Sequence, residues 1–463
     1  MIQSIVSRAA SFAGSIVLLL IVPVCLDAQF YRQFPQQGYG QAVPMQQFGR
    51  PGFGQQPGSP YQQRPYQQQP RGWQPQASPR GAVTPEQAQR LYNRPATDPP
   101  PERSEGQVYP RIGGEFEPQN AIVISVSELL PQHHVVFRGI CEATSGHVRL
   151  IVLYNSGNQV REAIKALATS EADLSHVYFK QLEMNTIWLR DFGPRMCELE
   201  NGQSMSLDFF YDGQRPQDDS FPLRWADMTE TDKMSAHWTM HGGNLLSNGR
   251  GLGLTTSRIF EDNRITFPNP RPGSNPGQEA REMVYRELKQ YCNLDRLIVL
   301  QPLQNEKTRH VDMFATFLNH DTVLIARLDP RRDPVNARIL DRNAEYLEDN
   351  VTVDGEPIKV HRIDVPPAQG TSWSPFTNNI MANGLILMPV LNRDNPQIVQ
   401  RALQTYRELL PEYTVVGIDT TTLKDLEGAL HCMSVNIPAY ASLPAEMTTY
   451  EAARTWAQQS AQQ

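Results

Sequence analysis

The sequence has 463 residues, of which 40% are hydrophobic and 20% charged, and its formal net charge is −7 at pH 7. Residues 116–463 carry 32 basic and 43 acidic side chains, a balance that disfavours nucleic acid as a partner and favours cationic ligands. The length allows two average domains, or one large catalytic domain with appendages.

The first 28 residues have the pattern of a secretory signal peptide. The apolar run from Ile16 to Val24 is shorter than the roughly 20 apolar residues that a bilayer span needs, and Asp27-Ala28 follows it. The bulky Val24 before Cys25 disfavours a lipid anchor at that cysteine. We therefore expect export, with the mature protein secreted or held in the periplasm or cell envelope.

The next segment is too polar to build a core. Sixteen glutamines lie between Gln29 and Arg80, with proline, glycine and tyrosine filling much of the rest. Such a stretch buries too little apolar surface to offset its chain entropy. We predict a disordered Gln/Pro/Gly-rich spacer at 29–114, a catalytic domain at 115–445 and a polar C-terminal tail at 446–463. The widely spaced Cys141, Cys197, Cys292 and Cys432 contain no CxxC pair and give no disulfide assignment.

Beyond the spacer, the chain repeats a helix, a strand and a short polar loop. In the first unit the strand Val148–Tyr154 and the helix Gln159–Leu167 precede a strand at Val177–Leu182, which leads to Trp188-Leu189-Arg190-Asp191. The later units predict helices at 278–291, 335–348 and 396–410, and strands at 296–300, 358–365 and 414–418.

Each predicted strand of this kind ends in a polar motif. The motifs after the first are His310-Val311-Asp312, Pro375-Phe376-Thr377-Asn378 and Leu430-His431-Cys432, and a strand-rich stretch adds Trp238–Asn244. Pseudo-symmetric units around an axis would bring equivalent loops to one centre. We therefore expect one site made of Asp191, His241, His310, Asp312, Asn378 and Cys432.

These residue types suit attack on a guanidinium group. A guanidinium is flat, permanently charged and rich in N–H donors, so Asp191 and Asp312 could hold it by paired charge-assisted hydrogen bonds. Cys432 would supply a thiolate nucleophile. His310 would donate and accept protons, on the expectation that positions 310 and 312 lie on one face of a strand.

Each residue also has an ordinary structural explanation. Cys432 could be a buried core thiol, His310 and Asp312 a structural hydrogen-bonded pair, and Arg190-Asp191 a local ion pair. Zinc binding by His241, His310, Asp312 and Cys432 is the competing enzyme hypothesis, but the sequence has no HExxH motif and no paired CxxC. It also has no GxSxG elbow and no GxxxxGK[ST] phosphate loop.

The motifs WLRDFGP, HGGN, HVDMF, PFTNNIMANG and EGALHCMS, in this order, resemble those of the Porphyromonas-type peptidylarginine deiminases and of their relatives, the agmatine deiminases. The resemblance implies the pentein fold, a five-bladed α/β propeller of ββαβ units with pseudo-fivefold symmetry. It also implies catalysis without a cofactor or a metal.

The resemblance further implies a role for each matching residue. Asp191 and Asp312 would bind the guanidinium, His310 would be the general acid and base, and Cys432 would form a covalent thiouronium intermediate. Asn378 would help to position the substrate or the loop of the catalytic cysteine. The residues that would shape the site or contact the substrate are Trp188, His241, Gly243 and Asn244.

The segment Asp208–Asp219 resembles the peptidylarginine branch, in which two arginines receive a peptide carboxylate. Arg215 matches one of them, and Gly213 occupies the place of the other. The sequence therefore favours deimination of arginine in peptides or proteins to citrulline and ammonia. Conversion of agmatine to N-carbamoylputrescine is the alternative, although agmatine has no carboxylate for Arg215. A third hypothesis is a non-catalytic surface binding module.

Overall fold

The computed structural model describes residues 110–263, 276–423, 426 and 428–460. The predicted signal peptide and almost all of the predicted spacer lie outside these ranges. The helices in the described ranges are α1 (His134–Ala143), α2 (Gly157–Leu167), α3 (Leu189–Phe192), α4 (Pro216–Asp219), α5 (Phe221–Met228), α6 (Arg258–Asp262), α7 (Pro276–Cys292), α8 (Pro334–Asn350), α9 (Pro396–Leu409) and α10 (Tyr450–Ser460).

Five sheets of three to five strands carry the fold, together with one short hairpin. Their strands are β1 (Arg111–Ile112), β2 (Gln119–Ser125), β3 (Arg149–Tyr154), β4 (Val177–Gln181), β5 (Arg195–Glu198), β6 (Ser204–Phe210), β7 (Asp232–Thr239), β8 (Leu246–Ser247), β9 (Leu252–Thr256), β10 (Arg296–Leu300), β11 (Ala315–Asn319), β12 (Thr322–Arg327), β13 (Thr352–Val353), β14 (Glu356–Pro357), β15 (Lys359–Asp364), β16 (Ile380–Ala382), β17 (Leu385–Val390), β18 (Thr414–Asp419), β19 (Ser434–Pro438) and β20 (Thr448–Thr449). The strand orders are β1-β5-β6-β7, β10-β9-β8, β11-β12-β15, β16-β17-β18 and β19-β2-β3-β4-β20, and β13 pairs with β14.

The same connection recurs in the five sheets. An antiparallel pair is followed by a helical crossover and a parallel third strand, as in β11, β12 and β15 around α8, and in β16, β17 and β18 around α9. The fifth sheet has this order too, but its antiparallel pair joins β19 to β2, so one strand comes from each end of the catalytic region. The predicted helices and strands of the later units match these elements to within about two residues.

Local sequence signals fix where the two crossover helices begin. Asp333 precedes α8 and accepts a hydrogen bond from the Asn336 amide at 3.0 Å, and Asn395 precedes α9 and accepts one from the Gln397 amide at 2.9 Å. Each helix has proline at its first position, where the missing N–H costs nothing.

The central strands are buried on both faces. β17 has five fully buried residues, Leu385–Pro389, and β2 is buried except at Asn120. Strands covered on both sides read as continuous apolar runs, which is why they are visible in the sequence. This packing holds the strand ends, and the turns that leave them, in fixed positions.

The described fold extends past both boundaries predicted for the catalytic domain. On the N-terminal side, β1 pairs with β5. On the C-terminal side, β20 pairs with β4, and α10 buries Tyr450, Ala453 and Ala457 in the core formed with α2. These three residues have the i, i+3, i+7 spacing of a helical stripe, which the polar composition of the segment obscures. No helix in the described ranges has the length and apolar content of a membrane span.

Candidate active site

The polar motifs occupy equivalent places in the repeat. Each lies between the last strand of one sheet and the first strand of the next antiparallel pair: α3 precedes β5, the 3₁₀ turn Gly242–Asn244 precedes β8, and the 3₁₀ turn Val311–Met313 precedes β11. Asn378 and Cys432 precede β16 and β19 in the same way. The expectation that His310 and Asp312 share a strand face is wrong. His310 is extended and caps a 3₁₀ turn that carries Asp312.

Cys432 is buried in contact with two of the predicted residues. Asn378 Nδ2 donates to the Cys432 Sγ at 3.1 Å, and the Sγ lies 3.7 Å from Asp312 Oδ2. The Asn378 Oδ1 accepts from the backbone amides of His431 and Cys432 at 3.1 and 3.3 Å, so this side chain holds the cysteine turn. Burial, then the Asp312 and Asp191 carboxylates, raise the pKa of the Cys432 thiol well above its ordinary value. In the unliganded site the sulfur is therefore a neutral thiol.

Asp312 is held by a histidine to which the sequence analysis gave no role. His431 Nδ1 lies 2.8 Å from Asp312 Oδ2, and both side chains are at most 4% exposed. The other ring nitrogen, Nε2, lies 2.9 and 3.1 Å from the two Glu115 oxygens. Asp312 Oδ1 has no hydrogen-bond partner within the described part of the chain.

A buried arginine completes this network. Arg190 pairs with Glu115, donates to Asn436 Oδ1 at 2.9 Å and contacts the His431 carbonyl at 3.3 Å. Burial alone would raise the pKa of Glu115, but Arg190 and His431 outweigh it and hold that pKa well below its usual range. The local ion pair considered for Arg190 and Asp191 is not formed, because the Arg190 guanidinium binds Glu115 instead.

Asp191 has fewer partners than Asp312. Its Oδ1 accepts one hydrogen bond from the Gly243 amide at 3.3 Å and lies 3.5 Å from His310 Nδ1. Burial and then the nearby Asp312 raise the pKa of Asp191 to about 7. This carboxyl therefore changes its charge near neutral pH when no cation is bound.

Three aromatic rings lie in contact beside Asp191. The Tyr211 and His241 centroids are 5.1 Å apart, and those of His241 and His310 are 5.2 Å apart. Burial, then His241 and Arg258, hold the pKa of His310 well below its usual range, and burial, then Arg258 and Arg215, lower the pKa of His241 to about 3. Both imidazoles are neutral at pH 7, and neither nitrogen of His310 makes a hydrogen bond within the described residues.

Gly243 lies where these groups converge. A Cβ at this position would lie 2.8 Å from Asp312 Oδ2, 2.9 Å from His310 Nδ1 and 3.0 Å from Asp191 Oδ1. Any side chain there would displace the three groups. Two carboxylates and an imidazole thus converge on the space that a side chain of residue 243 would take, which is called the volume above Gly243 below.

The remaining predicted residues lie around this volume. Arg215 contacts the Tyr211 hydroxyl at 3.2 Å and keeps 34% of its side chain exposed. The Trp188 ring covers Gly428, in the loop that leads to Cys432. Asn244 joins two turns of the site. Its Oδ1 accepts hydrogen bonds from Thr256 Oγ1 at 3.0 Å and from the Val311 amide at 3.1 Å.

Comparison with known proteins identifies the family of the chain. Residues 111–438 match the model of the Porphyromonas-type peptidyl-arginine deiminases. The chain belongs to this family. It is a hydrolase that acts on a C–N bond of a guanidino group.

Relatives and solved structures extend the comparison. A protein of Vibrio parahaemolyticus, provisionally named an agmatine deiminase, is 25% identical over 300 residues, which are 57% of this chain and 79% of its own. The agmatine deiminase of Enterococcus faecalis has a TM-score of 0.59 at 19% identity, and the match covers 73% of this chain and 99% of that one. A Porphyromonas gingivalis structure, provisionally named an arginine deiminase, has a TM-score of 0.59 at 23% identity, with 71% and 98% covered. The mixed α/β fold is that of the pentein deiminases.

The possible metal ligands that lie close together in the structure are not the set that the sequence analysis considered for zinc. Asp191, His241 and His310 each place a donor atom within 4.8 Å of the others. Imidazole and carboxylate suit zinc, but the group shares Asp191 and His310 with the volume above Gly243. An ion there would exclude a guanidinium from the same carboxylate.

Sequence reasoning missed four charged residues of the deiminase site: Glu115, Arg190, Arg195 and His431. Arg195 lies under the turn at Gly242, and burial, then Arg190, lower its pKa to about 10. Arg190 lies in the motif WLRDFGP and His431 in the motif EGALHCMS. A charged side chain next to apolar residues in such a motif could have indicated a role in the site. Glu115 had no such signal, since it lay at a predicted domain boundary.

Proposed function

We propose that this protein hydrolyses the guanidinium group of arginine in peptides or proteins to citrulline and ammonia. The observation that carries the proposal is the volume above Gly243, which Asp191, His310 and Asp312 face while Asp312 also contacts Cys432. A planar cation with several N–H donors matches two carboxylates at the rim of such a volume.

Binding of the substrate is the first step. Asp191 and Asp312 accept hydrogen bonds from the guanidinium and fix its central carbon near the Cys432 sulfur. The cation also offsets the two negative charges that disfavour the thiolate. Activation of Cys432 therefore depends on the substrate, which limits side reactions of the unliganded thiol.

The chemistry then needs a group that moves one proton in each half of the reaction. As the sulfur bonds to the guanidinium carbon, the thiol proton passes to the neutral His310, which delivers it to the departing nitrogen, and the C–N bond breaks to release ammonia. His310 next takes a proton from water, whose oxygen bonds to the carbon of the thiouronium. The C–S bond breaks, His310 returns a proton to the sulfur, and the proton left on the new C–O group passes to solvent, where ammonia takes it up as ammonium and neutral citrulline remains.

The rim of the site favours arginine over agmatine. Two aromatic rings, those of Tyr211 and His241, separate Arg215 from His310. The partly exposed Arg215 guanidinium lies 3.6 Å from Asp212, and an anionic or carbonyl oxygen of the substrate would join or replace that contact. Arginine in a peptide has main-chain oxygens to offer, and a carboxylate if it is terminal. Because Gly213 offers no second cation, we do not expect a strict requirement for a terminal carboxylate.

Deimination of agmatine to N-carbamoylputrescine is the second candidate. Proteins named agmatine deiminases are among the relatives and the similar structures, which supports this alternative.

We also propose that the five sheets are the blades of a propeller around a pseudo-fivefold axis, and that residues 1–28 direct the protein out of the cytoplasm. An exported enzyme would have little access to the intracellular agmatine of polyamine synthesis.

The test is turnover of four substrates in the presence of EDTA: a peptide with internal arginine, a peptide ending in arginine, free arginine and agmatine. Ammonia and the ureido product are measured for the wild type, for Cys432→Ala and for the matched control Cys141→Ala, another buried cysteine outside the site. We expect peptide turnover that is lost only in Cys432→Ala. Turnover of agmatine alone would assign the second candidate, and no turnover at all would leave a binding module.

A further inference from the structure

His431 lies between two carboxylates, one on each side of its ring. Nδ1 is 2.8 Å from Asp312 Oδ2, and Nε2 is 2.9 Å from the nearer Glu115 oxygen. Ionised carboxylates only accept hydrogen bonds, so each of these contacts needs an N–H on the imidazole. A neutral imidazole has one N–H and would leave one short contact between two acceptors. Both contacts are satisfied if the ring is an imidazolium.

The charged groups around His431 come from four parts of the fold. Glu115 lies before β2, Asp312 in the turn before β11, and Arg190 in α3, while Cys432 follows His431 directly. Arg195 also helps to lower the pKa of Glu115, and His431 itself helps to lower the pKa of His310. Burial and Arg190 disfavour the cation, but Glu115 and Asp312 outweigh them and raise the pKa of His431.

The contacts of this network form a chain that runs from Arg190 to Asp312. Arg190 pairs with Glu115, Glu115 accepts from His431, and His431 donates to the Asp312 oxygen that also faces Gly243. Asp312 Oδ2 lies 2.8 Å from the position that a Cβ on Gly243 would take. The contact from the His431 ring toward the proposed substrate site therefore runs through Asp312 Oδ2.

We propose that His431 is a positioning residue, held as an imidazolium by Glu115 and Arg190, which orients the Asp312 carboxylate toward the guanidinium of the substrate. His431 also offsets one of the two carboxylate charges beside Cys432 before the substrate arrives. The role in positioning Asp312 rests on the proposed guanidinium site. The protonation state of His431 does not, and it can be measured without substrate.

The first measurement is nitrogen NMR of histidine-labelled, substrate-free protein between pH 6 and 9, with the His431 signals assigned by their loss in His431→Gln. We expect both ring nitrogens of His431 to carry protons at pH 8 in the wild type. In Glu115→Gln the ring keeps an amide oxygen as acceptor but loses a negative charge, so deprotonation should move into the measured range. A neutral His431 at pH 7 in the wild type would overturn the proposal.

The second measurement is the pH profile of turnover for whichever guanidino substrate the protein accepts. In Glu115→Gln we expect KM to rise with pH over the range in which His431 deprotonates, by roughly 10–100-fold, as for other groups that orient a ligand through a hydrogen bond. His431→Gln keeps one donor for Asp312 but cannot titrate, and its losses should not depend on pH.

The matched control is Glu117→Gln, the same change two residues away at a carboxylate that binds Arg111 rather than His431. It should leave the pH profile unchanged. If Glu115→Gln lowers turnover equally at every pH and leaves the NMR titration unaltered, Glu115 is only a structural residue and the proposal fails. If the NMR result holds and no guanidino substrate turns over, the failure belongs to the proposed function instead.

Discussion

The two aspartates of the site have the same side chain and opposite surroundings. Asp312 is 1% exposed and is bonded to His431, behind which lie Glu115 and Arg190. The Asp191 side chain is 13% exposed and has one backbone donor at 3.3 Å. Asp312 has a buried imidazole as its partner, whereas the hydrogen bond to Asp191 comes from a backbone amide.

This difference indicates a division of roles. A carboxylate fixed by a charged partner keeps its orientation whether or not a ligand is present. A carboxyl with a pKa near 7 gains its full charge only at higher pH, or when a cation binds. In the proposed guanidinium site, Asp312 would therefore be the permanent half of the grip, since its orientation is fixed by His431, and Asp191 would be the adjustable half.

The largest effect is expected when the permanent half is removed. Asp312→Asn keeps the shape of the side chain but leaves the His431 imidazolium without one of its anions and the substrate without one grip. Truncating one partner of a buried charge pair costs about 2–5 kcal/mol, so we expect kcat/KM to fall by about 10²–10³-fold. Steady-state kinetics would check this, with the exposed Asp321→Asn as control. A loss below tenfold would show that the two aspartates are equivalent.

An intermediate effect is expected when the space between the two aspartates is filled. Gly243→Ala would place a methyl group within 3.0 Å of both carboxylates and of His310, so we expect kcat/KM to fall by about 10²-fold through misplacement of these groups. The melting temperature should change less than the activity, since the three crowded atoms are the ends of side chains rather than backbone. Gly139→Ala in α1 is the control, because its Cβ would make ordinary contacts of 3.4 Å with Ile418. Near-wild-type turnover of Gly243→Ala would place the substrate elsewhere.

The smallest effect is expected from the titration of Asp191, the adjustable half of the proposed grip. Because kcat/KM reports the free enzyme, it should fall about tenfold per pH unit below pH 7, where Asp191 becomes protonated and loses its attraction for the cation. In Asp191→Asn the activity should be lower but level between pH 5 and 7. If kcat/KM of Asp191→Asn still fell as the pH was lowered, the titrating group would be another residue, such as His310.

Much of this arrangement could be predicted from the sequence. The buried strands are continuous apolar runs, and amphipathic spacing marks α2, α8 and α9, so the places where strands end were visible. The polar residues that follow those ends, among them Asp191, His310 and Cys432, could then be assigned to one site. Such inferences need only local patterns and the tendency of repeated units to place equivalent loops together.

The ion network could not be predicted in the same way. Glu115 and His431 are 316 residues apart, and no periodicity says which buried acid will meet which base. Arg190 stands next to Asp191 in the sequence, yet α3 turns its side chain toward Glu115. The prediction of a polar tail after residue 445 was wrong for a different reason. Three apolar residues on one face of a helix hardly change the composition of a polar segment, so the helix was not recognised.

The pairing of β2 with β19 has a consequence for biosynthesis. Cys432 enters the site on the turn before β19, and β19 is held by a strand that leaves the ribosome some 310 residues earlier. Contacts of such long sequence separation form slowly, because loop closure precedes them. A growing chain therefore contains Asp191, His310 and Asp312 before Cys432 can be held beside them. In the proposed mechanism, activity arises only after β19 has been synthesised and has paired with β2.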